Sequence, residues 1–361
     1  MEQICSFRPE VSDVPVRPYH LSPLTRRDFL RRGGLAIAGV AGAIGPLRPG
    51  TILSAGAPSG SAGAVPDGER RPVALIANSV GDTLTVADGQ RLEPVSVIKV
   101  GREPHKFRQT RDGRAVYSCN TTSNEMLEID LATLRVRSRI PILDPYNVLF
   151  THDGRYLYKV SYRYDFVEIH DGETFRTLTR VRTGRQPSHM WLSPDGRWFV
   201  NTNQHSNTVT VIDTRSMTLA HRLGVDPQPA GIQISRDGHY MFVASHVGTI
   251  SVFATDEWKL IRKVHSGKGA HELVATSDGR TIYVTNRYEN TASVFDVQAQ
   301  RVVAKFPVPG GPDMPMLSPD GSQLWVSGRF GDTTTVVNTR TLGILNTFPT
   351  GRSPHGIFIV T

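Results

Sequence analysis

Short apolar stretches alternate with turn-forming dipeptides from residue 73 to residue 361, and Ser277 to Val297, SDGRTIYVTNRYENTASVFDV, shows the unit most clearly. Asp278-Gly279 supplies the positive-φ step of a tight turn. Thr281 to Asn286 alternates β-branched or aromatic with smaller residues, as a strand does, and Ala292 to Val297 forms the next strand. The turn aspartate recurs as Asp112, Asp153, Asp195, Asp237, Asp278 and Asp320, at spacings of 41, 42, 42, 41 and 42 residues. A period in the low forties with four short strands predicts an all-β protein, a β-propeller whose blades bury their faces only against neighbouring blades.

The blade count follows from the two ends of the repeat. Val73 to Asn78, Thr83 to Ala87 and Val95 to Val100 match the second, third and fourth strands of the unit, with no first strand before them. Pro354-His355-Gly356-Ile357-Phe358-Ile359-Val360 matches a first strand and stops there. The C-terminal strand is therefore expected to complete the N-terminal blade and close the ring. Complete blades open near Pro104, Pro145, Pro187, Pro229, Ala270 and Pro312, which with the shared blade makes seven, at about 42 residues each.

Composition is that of an ordinary globular chain, with 39% hydrophobic and 20% charged residues in 361. The single repeat argues for one domain, residues 73–361, rather than the two that length alone suggests. Ahead of it, Thr25-Arg26-Arg27-Asp28-Phe29-Leu30-Arg31 precedes an apolar Gly/Ala-rich run from Gly33 to Gly45. This segment resembles a twin-arginine export signal, with small-residue cleavage sites at Ala55-Gly56-Ala57 or Ala62-Gly63-Ala64. The run is too short to span a bilayer, so no transmembrane span is expected in the mature protein. The resemblance implies residues 1–57 as signal, the twin-arginine machinery as a partner and a periplasmic or extracellular address. Residues 58–72, rich in Gly, Ser and Ala, read as a flexible linker.

Residues 1–57 carry seven Lys/Arg and four Asp/Glu, so their removal lowers the formal charge from +8 to about +5. The basic residues form no run, which argues against nucleic acid as a partner. Cys5 lies in the signal, leaving Cys119 as the sole thiol of the mature domain and no internal disulfide. From residue 58 onward there is no nucleotide-binding loop, nucleophile elbow, paired-cysteine metal set or haem-attachment cysteine pair.

Ile282-Tyr283-Val284-Thr285-Asn286 carries the YVTN string of the YVTN-type, surface-layer-like β-propeller repeat family, and the Gly-x-x-Pro strand openings are similar to those of that family. The resemblance covers residues 73–361 and implies the fold. Fold relatives of this kind include copper reductases, lactonases and haem-binding propellers, so function has to come from positions that differ between blades.

Aligned on the turns, the position seven residues before the turn aspartate reads, in spatial order, His355, His105, Tyr146, Ser188, Ala230, His271 and Asp313. Ring closure gathers His271, Asp313, His355 and His105 from four consecutive blades into one arc at the start of the innermost strands. Imidazole nitrogen with carboxylate oxygen suits copper first, and zinc or iron. The same histidines can instead hydrogen-bond a neighbouring blade, and strand parity sets them on a face with apolar Ile357 and Leu273. The position nine residues after the turn reads Ser79, Thr121, Tyr162, Gln204, His246, Arg287 and Arg329. Arg287 and Arg329 would lie beside the arc and bind a carboxylate or phosphate, with His246 and Tyr146 lining the same mouth. Arg102, Arg185, Lys268 and Arg352, each after a glycine, make this end electropositive.

Glu272 and Tyr162 are the candidate catalytic groups, Glu272 as a general base beside His271. His189, one residue past the arc position, is expected to face away, and the recurring Asn78, Asn120, Asn203 and Asn286 are expected to be turn residues. Two classes of function follow. One is a metal-dependent oxidoreductase acting on an anionic small molecule, with a lactonase or lyase as its variant; the other is a non-catalytic propeller that binds a small anion or a partner protein at its mouth.

Overall fold

The computed structural model describes residues 72–360. They form twenty-eight strands, numbered β1 to β28 in chain order, in seven four-stranded antiparallel sheets. The assignments of a signal to residues 1–57 and of a linker to residues 58–72 fall outside the described residues, Pro72 excepted. No helix among the described residues is long and apolar enough to cross a membrane.

The first blade contains Val73–Asn78 (β1), Thr83–Asp88 (β2) and Glu93–Lys99 (β3), and Pro354–Val360 (β28) pairs with β1 as its innermost strand. The ring closes as the split repeat requires. The other innermost strands are Pro104–Gln109 (β4), Asn147–Phe150 (β8), Pro187–Leu192 (β12), Pro229–Ile234 (β16), Ala270–Ala275 (β20) and Pro312–Leu317 (β24). β8 starts two residues later than Pro145 suggests: Asp144 takes φ 48° and its carboxylate accepts the Arg163 N–H at 2.8 Å, which draws the chain out of the ladder there.

Burial explains the composition of each strand. Second strands, such as Thr281–Asn286 (β21), are buried from their second residue on because both faces meet neighbouring blades, so branched and aromatic residues alternate with small ones. Outermost strands such as β3 are mostly exposed, and their polar residues face water. Apolar seams join successive blades: Tyr158 stacks on Phe199 at 4.6 Å, and Trp325 and Phe348 of the last blade pack with Ala74, Ile76, Ile357 and Ile359 of the first. Asn78, Asn203 and Asn286 close second strands onto third strands, Asn286 Nδ2 donating to the hydroxyls of Thr291 and Ser293 at 3.1 and 2.9 Å, whereas the Nδ2 of Asn120 has no partner among the described residues. Cys119 is free and fully buried, and burial pushes its thiol up to about 12.

Two local features shape the channel. The residue before the opening Pro or Ala of each repeat lies at positive φ: Glu103, Asp144, Gln186, Gln228, Gly269, Gly311 and Ser353. In addition, every innermost strand except β8 shifts register against its neighbour near its start. In β20 the pair His271 and Glu272 lies between Ala270, opposite Asn286, and Leu273, opposite Val284, so two residues occupy the place of one. This is a β-bulge, and it breaks strict side-chain alternation.

Candidate functional site at the channel mouth

The positive-φ step positions the mouth loops. Its residue presents a carbonyl to the first loop residue after the second strand: Arg287 N–H to Gly269 at 2.9 Å, Arg329 N–H to Gly311 at 3.0 Å and His246 N–H to Gln228 at 3.1 Å. Those side chains are thereby held over the bulges of the innermost strands. The structure thus brings both rows of blade-variable residues to one end of the channel.

Asp313 is the centre of this end. It is fully buried and accepts from Arg287 Nη2, from Arg329 Nη1 at 3.1 Å and from His271 Nδ1 at 2.8 Å. Burial is the largest single influence and would raise its pKa, but Arg287 together with the His271 and His355 rings outweighs it and holds the carboxyl well below its usual range. Two guanidiniums thus share one carboxylate. Arg287 keeps a buried Nε without a partner among the described residues.

The histidines are linked around the ring through their Nδ1 atoms. His355 Nδ1 contacts the His105 carbonyl at 2.9 Å, and His105 Nδ1 contacts the Tyr146 carbonyl at 3.0 Å. With Nδ1–H donating in each, Nε2 is left as a lone-pair acceptor. The inter-blade hydrogen bond that competes with metal ligation is therefore present, and it leaves the second ring nitrogen available. Burial is the largest cause in each case and lowers the pKa of His105 and His355 well below the usual value, that of His271 to about 4 and that of His246 to about 2; Lys106 adds to it for His105 and Arg287 for His271, and a neighbouring imidazole does so for His355 and His246. All four imidazoles are neutral at neutral pH.

His271, Asp313 and His355 each place one ligand atom within 4.8 Å of the others, a spacing that a metal ion bridges. His105 stacks on His355 at 3.7 Å between ring centres and lies outside that group. Tyr146 packs against His105 at 3.9 Å and stacks on Tyr162 at 4.6 Å, while His246 lies over His271 at 5.5 Å. Tyr162 Oη reaches the side-chain carbonyls of Gln186 and Gln204 at 3.4 and 3.3 Å, and burial raises its phenol's pKa. Arg102, Arg185, Lys268 and Arg352 are all exposed.

One layer deeper, Glu272 joins Lys106 Nζ at 2.8 Å and His189 Nδ1 at 2.7 Å. Lys106 comes from β4, His189 from β12 and Glu272 from β20, so this bridge crosses the channel. Burial acts against it, but Lys106 and then His189 hold the Glu272 carboxyl far below its normal pKa. His189 is buried at the channel rather than facing away, because its bulge places Ser188 and His189 together opposite one residue of the next strand. Its Nε2 has no partner among the described residues, nor has that of His246. Lys106 and His189 carried no signal in the alignment of blades, which sampled one position per bulge where the structure uses two.

No curated protein matches the chain. Among solved structures, the fold is similar to hydrazine synthase from Kuenenia stuttgartiensis, at 20% identity over 70% of this chain and 88% of that one, with a TM-score of 0.63. Dihydro-heme d1 dehydrogenase NirN is similar at 17% identity over 79% and 74% of the two chains, with a TM-score of 0.63. A putative 6-phosphogluconolactonase from Bacteroides uniformis is similar at 17% identity over 81% and 100%, with a TM-score of 0.66. Identities of this size show a shared fold and nothing finer. The family profile that matches does so across the whole ring: residues 33–361 fit the YNCE-like beta-propellers, and the chain belongs to that family.

Proposed function

We propose that this is an exported, non-catalytic propeller that binds a small hydroxylated anion, a sugar-acid-like carboxylate or phosphate, at its channel mouth. The observation that carries the reading is the sharing of Asp313 by Arg287 and Arg329, which leaves one guanidinium charge in excess within a buried ring of neutral imidazoles. A guanidinium takes a ligand carboxylate or phosphate with charge-assisted hydrogen bonds, while imidazole Nε2 atoms accept protons from ligand hydroxyls. The exposed basic residues at the same end add field that attracts an anion.

Glu272 and Tyr162 are poorly matched to proton transfer. A carboxylate held ionised by Lys106 is a weak base, and a phenol raised by burial is a weak acid. This favours binding over an oxidoreductase, lactonase or lyase that would use them.

A second reading rests on the spacing of His271, Asp313 and His355, which with neutral imidazoles would hold copper, zinc or iron. Asp313 already spends its oxygens on two arginines and His271, and a divalent ion there would face both guanidiniums. The donor set as it stands fits an anion better than a cation.

Titration calorimetry with gluconate, 6-phosphogluconate and glucose tests the reading. The two anions are expected to bind and glucose to bind at least tenfold more weakly, with Arg329→Ala reducing anion affinity tenfold or more. Equal binding of glucose, or unchanged affinity in Arg329→Ala, would reject it. Elemental analysis of the exported protein separates the second reading: stoichiometric metal that is lost in a His271→Ala, His355→Ala variant would establish it instead.

A further inference from the structure

The opposite end of the channel carries a cavity of about 720 Å³, formed where β4, β8, β12, β16 and β20 end. Its size lies in the range of sites for drug-sized ligands. Arg108, Arg111 and Arg236 line it, and no Asp or Glu does among the described residues. Phe150 and the indole of Trp191, 38% exposed, give it a flat apolar wall.

Two of the arginines are held in place by backbone carbonyls. Arg108 Nε donates to the Val148 carbonyl at 3.0 Å, and Arg236 Nη1 donates to the Ser277 carbonyl of the adjacent blade, which leaves the remaining N–H groups of each fork for a ligand. The aspartates of the Asp-Gly turns on this face are engaged locally. Asp112 accepts Thr110 Oγ1 at 2.6 Å, Asp237 accepts Ser235 Oγ at 2.5 Å and Asp278 accepts Thr276 Oγ1 at 2.5 Å. The guanidiniums therefore lack a carboxylate partner among the described residues. Gln233, 6% exposed, lines the same cavity with a buried Oε1 that has no partner either. A buried carbonyl oxygen left unpaired is costly, and a ligand N–H or O–H would satisfy it.

We infer that this cavity is a second ligand site, distinct from the mouth, for an aromatic organic anion: a carboxylate paired with Arg111 and Arg236, and a flat ring against Trp191. Guanidinium forks suit a carboxylate, and an indole face suits a ring. The cavity adjoins a deeper one of about 400 Å³ that Lys106, His189 and Glu272 line. The cross-channel bridge of these three residues stands between the two ends.

Titration with 2-naphthoate, followed by tryptophan fluorescence and by calorimetry, tests the site. The parent protein is expected to bind it, the neutral 2-naphthamide at least tenfold more weakly, and an Arg111→Ala, Arg236→Ala variant to lose tenfold or more in affinity. Both arginines are exposed, so the variant is expected to melt with the parent; Arg236→Glu alone provides a second loss, and Arg236→Lys is expected to retain part of the binding. Arg329→Ala at the mouth is expected to change nothing. The inference is overturned by an absence of binding, by equal affinity for naphthamide, by parental affinity in the double variant, or by loss of binding in Arg329→Ala.

Discussion

His355 Nδ1 lies 2.9 Å from the carbonyl oxygen of His105, although the two residues stand 250 positions apart in the chain. Their rings stack at 3.7 Å, and the contact joins the first blade, completed by β28, to the second, which opens with β4.

Closure of the ring therefore depends on the last strand. Deleting residues 354–361 would remove the innermost strand of the first blade together with Ile357 and Ile359, which pack against Trp325 and Phe348. The truncated protein is expected to show no cooperative thermal unfolding by circular dichroism, because a blade without its inner strand cannot cover its neighbours. A transition as steep as that of the parent would show that the seam is dispensable.

Asp313→Asn is expected to destabilise strongly. It leaves Arg287, 11% exposed, with its charge uncompensated, and breaking a buried ion pair from one side costs about 3–5 kcal/mol. Urea unfolding should register this as a lower midpoint with an unchanged slope. Adding Arg287→Met is expected to recover part of the loss, since it removes the uncompensated buried charge.

Acid is expected to destabilise the protein from pH 6.5 downward. His105, His246, His271 and His355 have depressed pKa values in the folded state, so the unfolded chain binds more protons below 6.5 and stability rises with pH through that window. A shift for His271 from 6.5 to about 4 is worth about 3 kcal/mol, present above pH 7 and lost as pH falls toward 4. The depressed carboxyls of Glu272 and Asp313 add a loss in the same direction, below their unfolded values near 4. Unfolding midpoints measured between pH 4.5 and 8 should fall with acid, and less steeply in His271→Asn; a flat profile would contradict neutral burial of the ring.

Cys119 should not react with a disulfide reagent in the native state. It is fully buried with its thiol pushed up to about 12, and both properties suppress the thiolate. Modification is expected to follow the rate of global unfolding across a denaturant series, and labelling faster than unfolding would reveal local opening of its blade.

The ring itself was legible because a blade can bury its faces only by repeating. The turn aspartates and the apolar second strands carried the period, and the missing first strand showed where the ends meet. The meeting of His271, Asp313 and His355 followed from that closure, since it needs only the order of blades. The roles of Arg287 and Arg329 did not follow, because whether a guanidinium faces an absent ligand or the Asp313 carboxylate depends on how far each loop descends. Nor did the bridge of Lys106, His189 and Glu272: its members stand at one repeat position, six residues before the turn aspartate, but strict strand alternation turns that position away from the channel, and only the bulge brings it back.

The register shift in the innermost strands also sets what this frame presents to the channel. Each shifted blade offers the channel two adjacent residues, such as His271 with Glu272 or Asp313 with Met314, while the ladder on either side stays in step. Where the second of the two is glycine, the next blade closes in: a Cβ on Gly231 would lie 2.5 Å from the His271 carbonyl oxygen, and one on Gly356 would lie 2.5 Å from that of His105. The channel is thus lined by residues that the ladder leaves unspecified, and at the mouth Asp313 and the His355–His105 contact make that lining part of what joins one blade to the next.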